Sequence, residues 1–238
     1  MNLSPFLTFF YSQQCCVCSK VDSYAERFGV CRSCLRDRHQ EQKRYQKIHS
    51  CQQCGQHLTE EESDCPYCSS RFVFFDEIIS LRVRTKMEHL LLQRNKFELH
   101  EVLCRYFALD TLGKLRRLRQ RPDRIVFLPS QDTKIGRFYH PASQLASRLA
   151  RKWNIPLQSP LRKVSDEKQS GKSFYERFLH AKKAFRFRKK DSSWKGLHIL
   201  IVDDIFTTGA SLNEVARLFR LSGARRVTCL VILNNEGD

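Results

Sequence analysis

The chain has 238 residues, 41% of them hydrophobic, which allows a packed core and excludes a disordered polymer. No stretch reaches the ~18 apolar residues of a membrane-spanning helix. The start, "MNLSPFLTFFYSQQCC", has neither a basic leader nor a small-residue cleavage site, so no membrane insertion is expected and the chain reads as cytoplasmic. Its formal charge of +17 sits wholly between Lys114 and Lys190, where 22 basic residues face 5 acidic ones. Such a field attracts polyanions, although a well-hydrated surface is the plainer meaning of most charge runs.

Eleven cysteines come next. Eight form four C-x-x-C pairs: Cys15/Cys18, Cys31/Cys34, Cys51/Cys54 and Cys65/Cys68. Each pair offers two thiolates from one tight turn, and two turns complete a tetrahedral S₄ shell, so two zinc ions are expected. An oxidised disulfide cluster is the competing arrangement, disfavoured in a reducing compartment. Two sequential ribbons, 15–34 and 51–68, are the simplest pairing; an interleaved one stays open. Cys16 could replace Cys15. His39, His49 and His57 are redundant as ligands, and Cys104 and Cys229 read as small core residues. Residues 1–70 form the cysteine module on this reading, and 71–238 a second domain.

Downstream, "RIVFLPS" (124–130) is a candidate buried strand and "HPASQLASRLARKW" (140–153) a candidate covering helix. "SGKS" (170–173) imitates a phosphate-binding loop, but Asp166 stands where its first glycine belongs. "SFYERFLHAKKAFRFRKK" interleaves Phe174, Tyr175, Phe178, Phe185 and Phe187 with Arg177, Lys182, Lys183, Arg186, Arg188, Lys189 and Lys190. Cations among stacking surfaces suit single-stranded nucleic acid. An amphipathic helix with core-facing aromatics fits the spacing equally well.

"HILIV" (198–202) has the continuous apolar character of a strand covered on both faces. It runs into Asp203 and Asp204, then Thr207, Thr208, Gly209, Ala210 and Ser211. A helix with Leu212, Val215, Ala216, Leu218 and Phe219 on one face follows, ending near Gly223, and "RVTCLVIL" (226–233) is the next strand. In a β-loop-α-β unit, ligands bind at the carboxyl ends of the strands. Amides at the helix start favour a phosphate, with hydroxyls of Thr207, Thr208 and Ser211 adding donors. The aspartates suit vicinal hydroxyls, or magnesium, one ring's breadth away. A 5-phosphorylated ribose has that layout.

This order of residues resembles the phosphoribosyl-pyrophosphate signature of type I phosphoribosyltransferases. The resemblance implies an α/β fold, a parallel sheet flanked by helices, with the small double zinc ribbon in front. It implies magnesium with phosphoribosyl pyrophosphate as ligand, and a pyrophosphate loop near Ser130 to Lys134. A double ribbon before this fold resembles the ComF family of competence proteins over almost the whole chain. "LLLQRNKF" ending at Phe97, "FLPS" followed by Arg137, and Gln169, Ser170, Glu176, Arg177, Ala184 and Phe185 carry that likeness. "RFYHPA" departs from the family's Arg-Gly-Phe-Asn-Gln-Ala, and His180 stands where asparagine is usual.

The resemblance implies a role in natural transformation, handling imported single-stranded DNA with a helicase partner. Two other functions compete: a working phosphoribosyltransferase on an unknown base, and a scaffold whose zinc module docks a protein. No residue is singled out as catalytic.

Overall fold

The computed structural model describes residues 14–45, 51, 53–55, 58–59, 64–69, 72–97, 102–108, 111–115, 120–129, 140–164, 174–188 and 194–234. The cysteine-rich part contributes α1 (Ser23–Phe28), α2 (Arg32–Tyr45) and α3 (Pro66–Ser69). Next come β1 (Glu77–Val83), α4 (Lys86–Phe97), α5 (Val102–Ala108) and α6 (Thr111–Leu115). The remainder is β2 (Arg124–Phe127), α7 (Pro141–Trp153), β3 (Leu157–Gln158), β4 (Leu161–Lys163), α8 (Phe174–Ala184), β5 (Phe185–Phe187), β6 (His198–Phe206), α9 (Ala210–Leu221) and β7 (Arg226–Asn234).

Five strands pair in parallel in the order β1-β7-β6-β2-β3. From the centre, β2 leads through α7 outward to β3, while β6 leads through α9 the other way to β7. The divergence between β2 and β6 is a topological switch point, where open parallel sheets bind ligands.

The apolar run of β6 is explained by two-sided burial. Leu200 and Val202 join α7's Leu145, Ala146 and Leu149 in one core cluster. Ile199 and Ile201 join α9's Leu212, Val215, Ala216 and Phe219 in the other. In the second cluster, Trp194 lies edge-on to Phe219 at 4.9 Å and stacked with Phe187 at 6.2 Å.

Two strand boundaries differ from the sequence-based expectation. The first strand stops at Phe127, just short of Pro129, whose ring leaves no N–H for a ladder. The central strand does not end at Val202: it continues through both aspartates to Phe206. Pairing with β7 sustains it, matching Asp203 with Val231 and Phe206 with Asn234. The last helix closes as anticipated at Gly223, whose φ of 87° is left-handed. Ala224 N–H bonds Phe219 C=O and Gly223 N–H bonds Arg220 C=O, which satisfies two terminal carbonyls.

The two cysteine groups pack on opposite faces of the sheet. Cys15, Cys31 and Cys34 belong to the cluster under α7, and Cys54 and Cys65 to the cluster under α9. On the first face, the Gln42 side chain both donates to Val83 C=O and accepts from Val83 N–H, each at 2.9 Å. That bidentate clamp covers the edge of β1, which would otherwise offer unpaired backbone groups. Beside it, fully buried Glu88 accepts from Arg38 Nε at 3.0 Å and lies 3.5 Å from Arg82 Nη1. Arg82 also donates to Tyr106 C=O at 2.6 Å and lies over the Tyr106 ring at 4.3 Å.

Glu88 therefore neutralises charges from α2 and β1 together. Glu88→Gln is expected to destabilise the metal-loaded chain by about 3–5 kcal/mol, because two buried guanidiniums would lose their carboxylate. Denaturant unfolding measures this, and a loss below about 1 kcal/mol would remove the lock assigned to Glu88.

Candidate metal and ligand sites

The thiols of Cys15, Cys18, Cys31 and Cys34 form one group and those of Cys51, Cys54, Cys65 and Cys68 another, each with all sulfurs within 4.8 Å. The pairing is thus sequential. Measured Sγ separations are 3.6 Å for Cys18–Cys31, 3.5 Å for Cys54–Cys65 and 3.7 Å for Cys51–Cys68. A tetrahedral shell with metal–sulfur bonds of about 2.3 Å needs sulfurs about 3.8 Å apart, so each group can hold one such ion. Backbone amides support the sulfurs as in knuckles: Val17 N–H and Cys31 N–H donate to Cys15 Sγ, and Cys54 N–H to Cys51 Sγ. Cys16 stays outside the group, its N–H bonded to Gly29 C=O. His39 is exposed and takes no part; His49 and His57 lie outside the described residues. Cys104 and Cys229 are buried, as expected of core residues.

The crowded thiols cannot all ionise unaided. Burial and the neighbouring Cys18 and Cys31 push the Cys34 thiol up. Burial and the neighbouring Cys54 and Cys51 do the same to Cys68. Burial also opposes ionisation of Cys31, but hydrogen bonds from Ser33 and the Cys34 backbone outweigh it and bring that thiol to about 6. A dication resolves this conflict by binding thiolates and expelling protons. Cys34 and Cys68 hold their protons at neutral pH without metal, so zinc loading at pH 7 is expected to release protons from both groups. Affinity should then be higher at pH 8 than at pH 6. Calorimetry in buffers of different ionisation heat counts the protons, and a pH-independent affinity would contradict the assignment.

The switch point holds the second site. Asp203 and Asp204 stand near the end of β6, half-buried. Asp203 Oδ1 accepts from Asp204 N–H at 2.9 Å, and Asp204 Oδ1 from Ile205 N–H at 2.8 Å. These bonds orient both carboxylates. At the start of α7, His140 places Nε2 3.8 Å from Asp204 Oδ2, a proximity that the sequence pattern did not reveal. Its signal was only the departure at "RFYHPA".

Beyond Phe206 the chain turns at Thr207 and Thr208 into α9. Gly209 is the N-cap with φ 71° and, as glycine, brings no capping side chain of its own. A Cβ at Gly209 would lie 2.6 Å from the buried Phe206 ring, so glycine is required by both conformation and space. The first-turn amides and the helix dipole then favour an anion. Thr208 Oγ1 accepts weakly from Ala210 N–H at 3.4 Å, and Thr207 is exposed. The structure therefore brings the two aspartates, His140 and the 207–211 turn to one end of the sheet. The expected pyrophosphate loop, Ser130 to Lys134, lies outside the described residues.

The basic stretch splits. The helix ends at Ala184, and β5 pairs antiparallel with β4, setting Arg162 opposite Arg186. Phe185 is buried and Phe187 packs edge-on to Phe219 at 5.4 Å. Of the two arrangements open in the sequence, these two aromatics adopt the core-facing one. Arg162, Lys182, Lys183, Arg186 and Arg188 remain exposed. Lys189, Lys190 and the side chains of Phe174, Tyr175, Arg177 and Phe178 lie outside the described residues. His180 is buried in α8.

Comparison with known proteins supports the phosphoribosyltransferase-like fold. A family model for the phosphoribosyl transferase domain matches residues 140–238. "Competence protein F" of Haemophilus influenzae is 25% identical over 92% of this chain and 95% of its own length. "DNA utilization protein YhgH" of Salmonella typhimurium is 28% identical over 84% of this chain and 88% of its own. "Competence protein ComFC" of Bacillus subtilis is 36% identical over 37% of this chain and 34% of its own. Among the described residues, no helix is long and apolar enough to cross a membrane.

Proposed function

We propose that the chain is a member of the ComF family of competence proteins, and that it binds phosphoribosyl pyrophosphate with magnesium while handling imported single-stranded DNA in the cytoplasm. The observation that carries the ligand is the juxtaposition at the switch point: two oriented carboxylates on β6 followed by a glycine-initiated helix. Asp203 and Asp204 accept hydrogen bonds from the ribose hydroxyls and share the magnesium ion's field. Thr207, Thr208, Gly209, Ala210 and Ser211 surround the 5-phosphate with amides and hydroxyls. Magnesium supplies positive charge for the pyrophosphate when bound. Each cysteine group holds a zinc ion.

Asp203→Asn/Asp204→Asn is expected to weaken binding of magnesium phosphoribosyl pyrophosphate by about a hundredfold, since charged hydrogen bonds contribute ~1.5–3 kcal/mol each. Calorimetric titration checks this. Equal binding by wild type and variant would reject the site. Pyrophosphate release in the presence of a nucleobase would extend the reading to a transferase.

A specific observation favours nucleic acid as the second ligand. Arg162 and Arg186 are register partners on the exposed side of the β4–β5 ribbon, where Arg186 Nη1 donates to Lys182 C=O at 3.0 Å and to Phe185 C=O at 2.7 Å. Two cations fixed at strand spacing suit phosphates. With Phe185 and Phe187 in the core, attraction there is electrostatic rather than by their stacking. A helicase of the uptake machinery is the expected protein partner. Arg162→Gln/Arg186→Gln is expected to weaken single-stranded DNA binding and to flatten the plot of log affinity against log salt by about 1.4, the value for two lost phosphate contacts. An unaltered slope would place the DNA elsewhere.

A further inference from the structure

The segment that leaves the second cysteine group is fastened along α9. Asn213, in the first turn of that helix and 8% exposed, donates from Nδ2 to Phe72 C=O at 3.0 Å. Its Oδ1 accepts from Phe74 N–H at 2.8 Å. One amide thus holds the backbone on both sides of Val73, four to six residues after Cys68. Further along α9, Arg220 donates to Phe74 C=O at 3.1 Å and pairs with Asp76 at 2.5 Å. Cys54, Cys65, Phe75, Phe206 and Leu212 share one core cluster. A second link runs through the sheet end. Asn234 donates to Gly55 C=O at 3.1 Å and is the register partner of Phe206, whose ring abuts Gly209.

The phosphate loop therefore stands between two amides that hold the second knuckle. Asn213 N–H itself closes the first turn of α9 on Gly209 C=O at 2.8 Å. The first cysteine group is placed differently, with Arg38 and Gln42 reaching Glu88 and β1 on the opposite face.

We infer that Asn213 is a positioning residue that ties the second cysteine group to the phosphate loop, so that metal occupancy at Cys51, Cys54, Cys65 and Cys68 governs the order of the anion site. The inference rests on the ligand reading above only for the identity of the anion. Linkage makes the coupling reciprocal: ligand at the loop must hold the second metal ion more tightly. Among the described residues no such tether joins the first cysteine group to the loop, and its metal ion serves as the internal control.

The experiment uses the full chain loaded with two zinc ions. Transfer of zinc to a chromophoric chelator is followed with and without magnesium phosphoribosyl pyrophosphate, and Cys68→Ser identifies the phase from the second group. Ligand is expected to slow that phase at least about fivefold, the lower range of coupling between sites, and to leave the other phase alone. Asn213→Ala keeps every cysteine and should erase the ligand's effect. Asn213→Asp, which retains the acceptor for Phe74 N–H, should restore part of it.

Hydrogen exchange supplies an arm that needs no ligand. Amides of 206–213 are expected to exchange at least about fivefold faster in Asn213→Ala and in Cys68→Ser, with α7 unchanged. If ligand fails to bind wild type while exchange behaves so, the ligand reading falls and the tether stands. Unaltered exchange at 206–213 in both variants, or an equal rise through α7, overturns the tether.

Discussion

The structure depends on the two-sided burial of β6. A strand whose successive residues alternate between opposite apolar clusters tolerates water on neither face, so the chain must supply cover twice. Right-handed crossovers achieve this by running α7 and α9 to opposite sides, which also makes the connections diverge between β2 and β6. The crevice at the switch point is a by-product of that divergence. Covering a central strand on both faces opens a gap at its carboxyl end, and the two aspartates stand there.

The same requirement gives the cysteine groups their structural employment. A knuckle of this length has little core of its own, and its metal supplies most of its fold energy. Each knuckle here completes one face of a larger sheet. The first does so through a buried charge centre, in which Glu88 serves guanidiniums from α2 and β1 at once. The second does so through neutral amides near the 207–211 turn, Asn213 and Asn234, with the partly exposed Arg220–Asp76 pair farther along α9. A buried charge centre is rigid but costly to open, whereas neutral amides can be parted with less penalty. The attachment through neutral amides is the one beside the 207–211 turn.

Much of this was readable from the residues, and the failures have physical causes. β6, α9 and β7 were legible because an apolar run, a helical face and Gly223 agree on one local structure. The cysteine spacing specified two S₄ groups, but not which face each would cover, since that is set by contacts such as Gln42 with Val83. β1 was missed because its burial pattern is mostly partial, and Arg82, a residue type that reads as surface, is 1% exposed. Its counter-charge comes from a different element, Glu88, and pattern alone cannot pair them. The apolar run alone marked the strand and left the aspartates at its end, yet the β7 ladder carries the strand past them. His140 was visible only as an oddity, because a distance between elements leaves no mark in local spacing.

The basic third shows why a short segment defeats periodicity. In "AKKAFRFRKK" the helical and strand patterns overlap, and three residues of β5 are too few to separate periods of 3.6 and 2. The core decides. Phe185 and Phe187 alternate inward beside Trp194 and Phe219, which turns Arg186 outward opposite Arg162. Aromatic burial thus generates the charged surface: the rings that could have stacked on bases are used to aim the arginines. A ribbon built in this way offers cations at strand spacing with Phe185 and Phe187 withdrawn beneath them. Under the proposed function, such a surface would follow a phosphate backbone and be indifferent to the bases that the backbone carries.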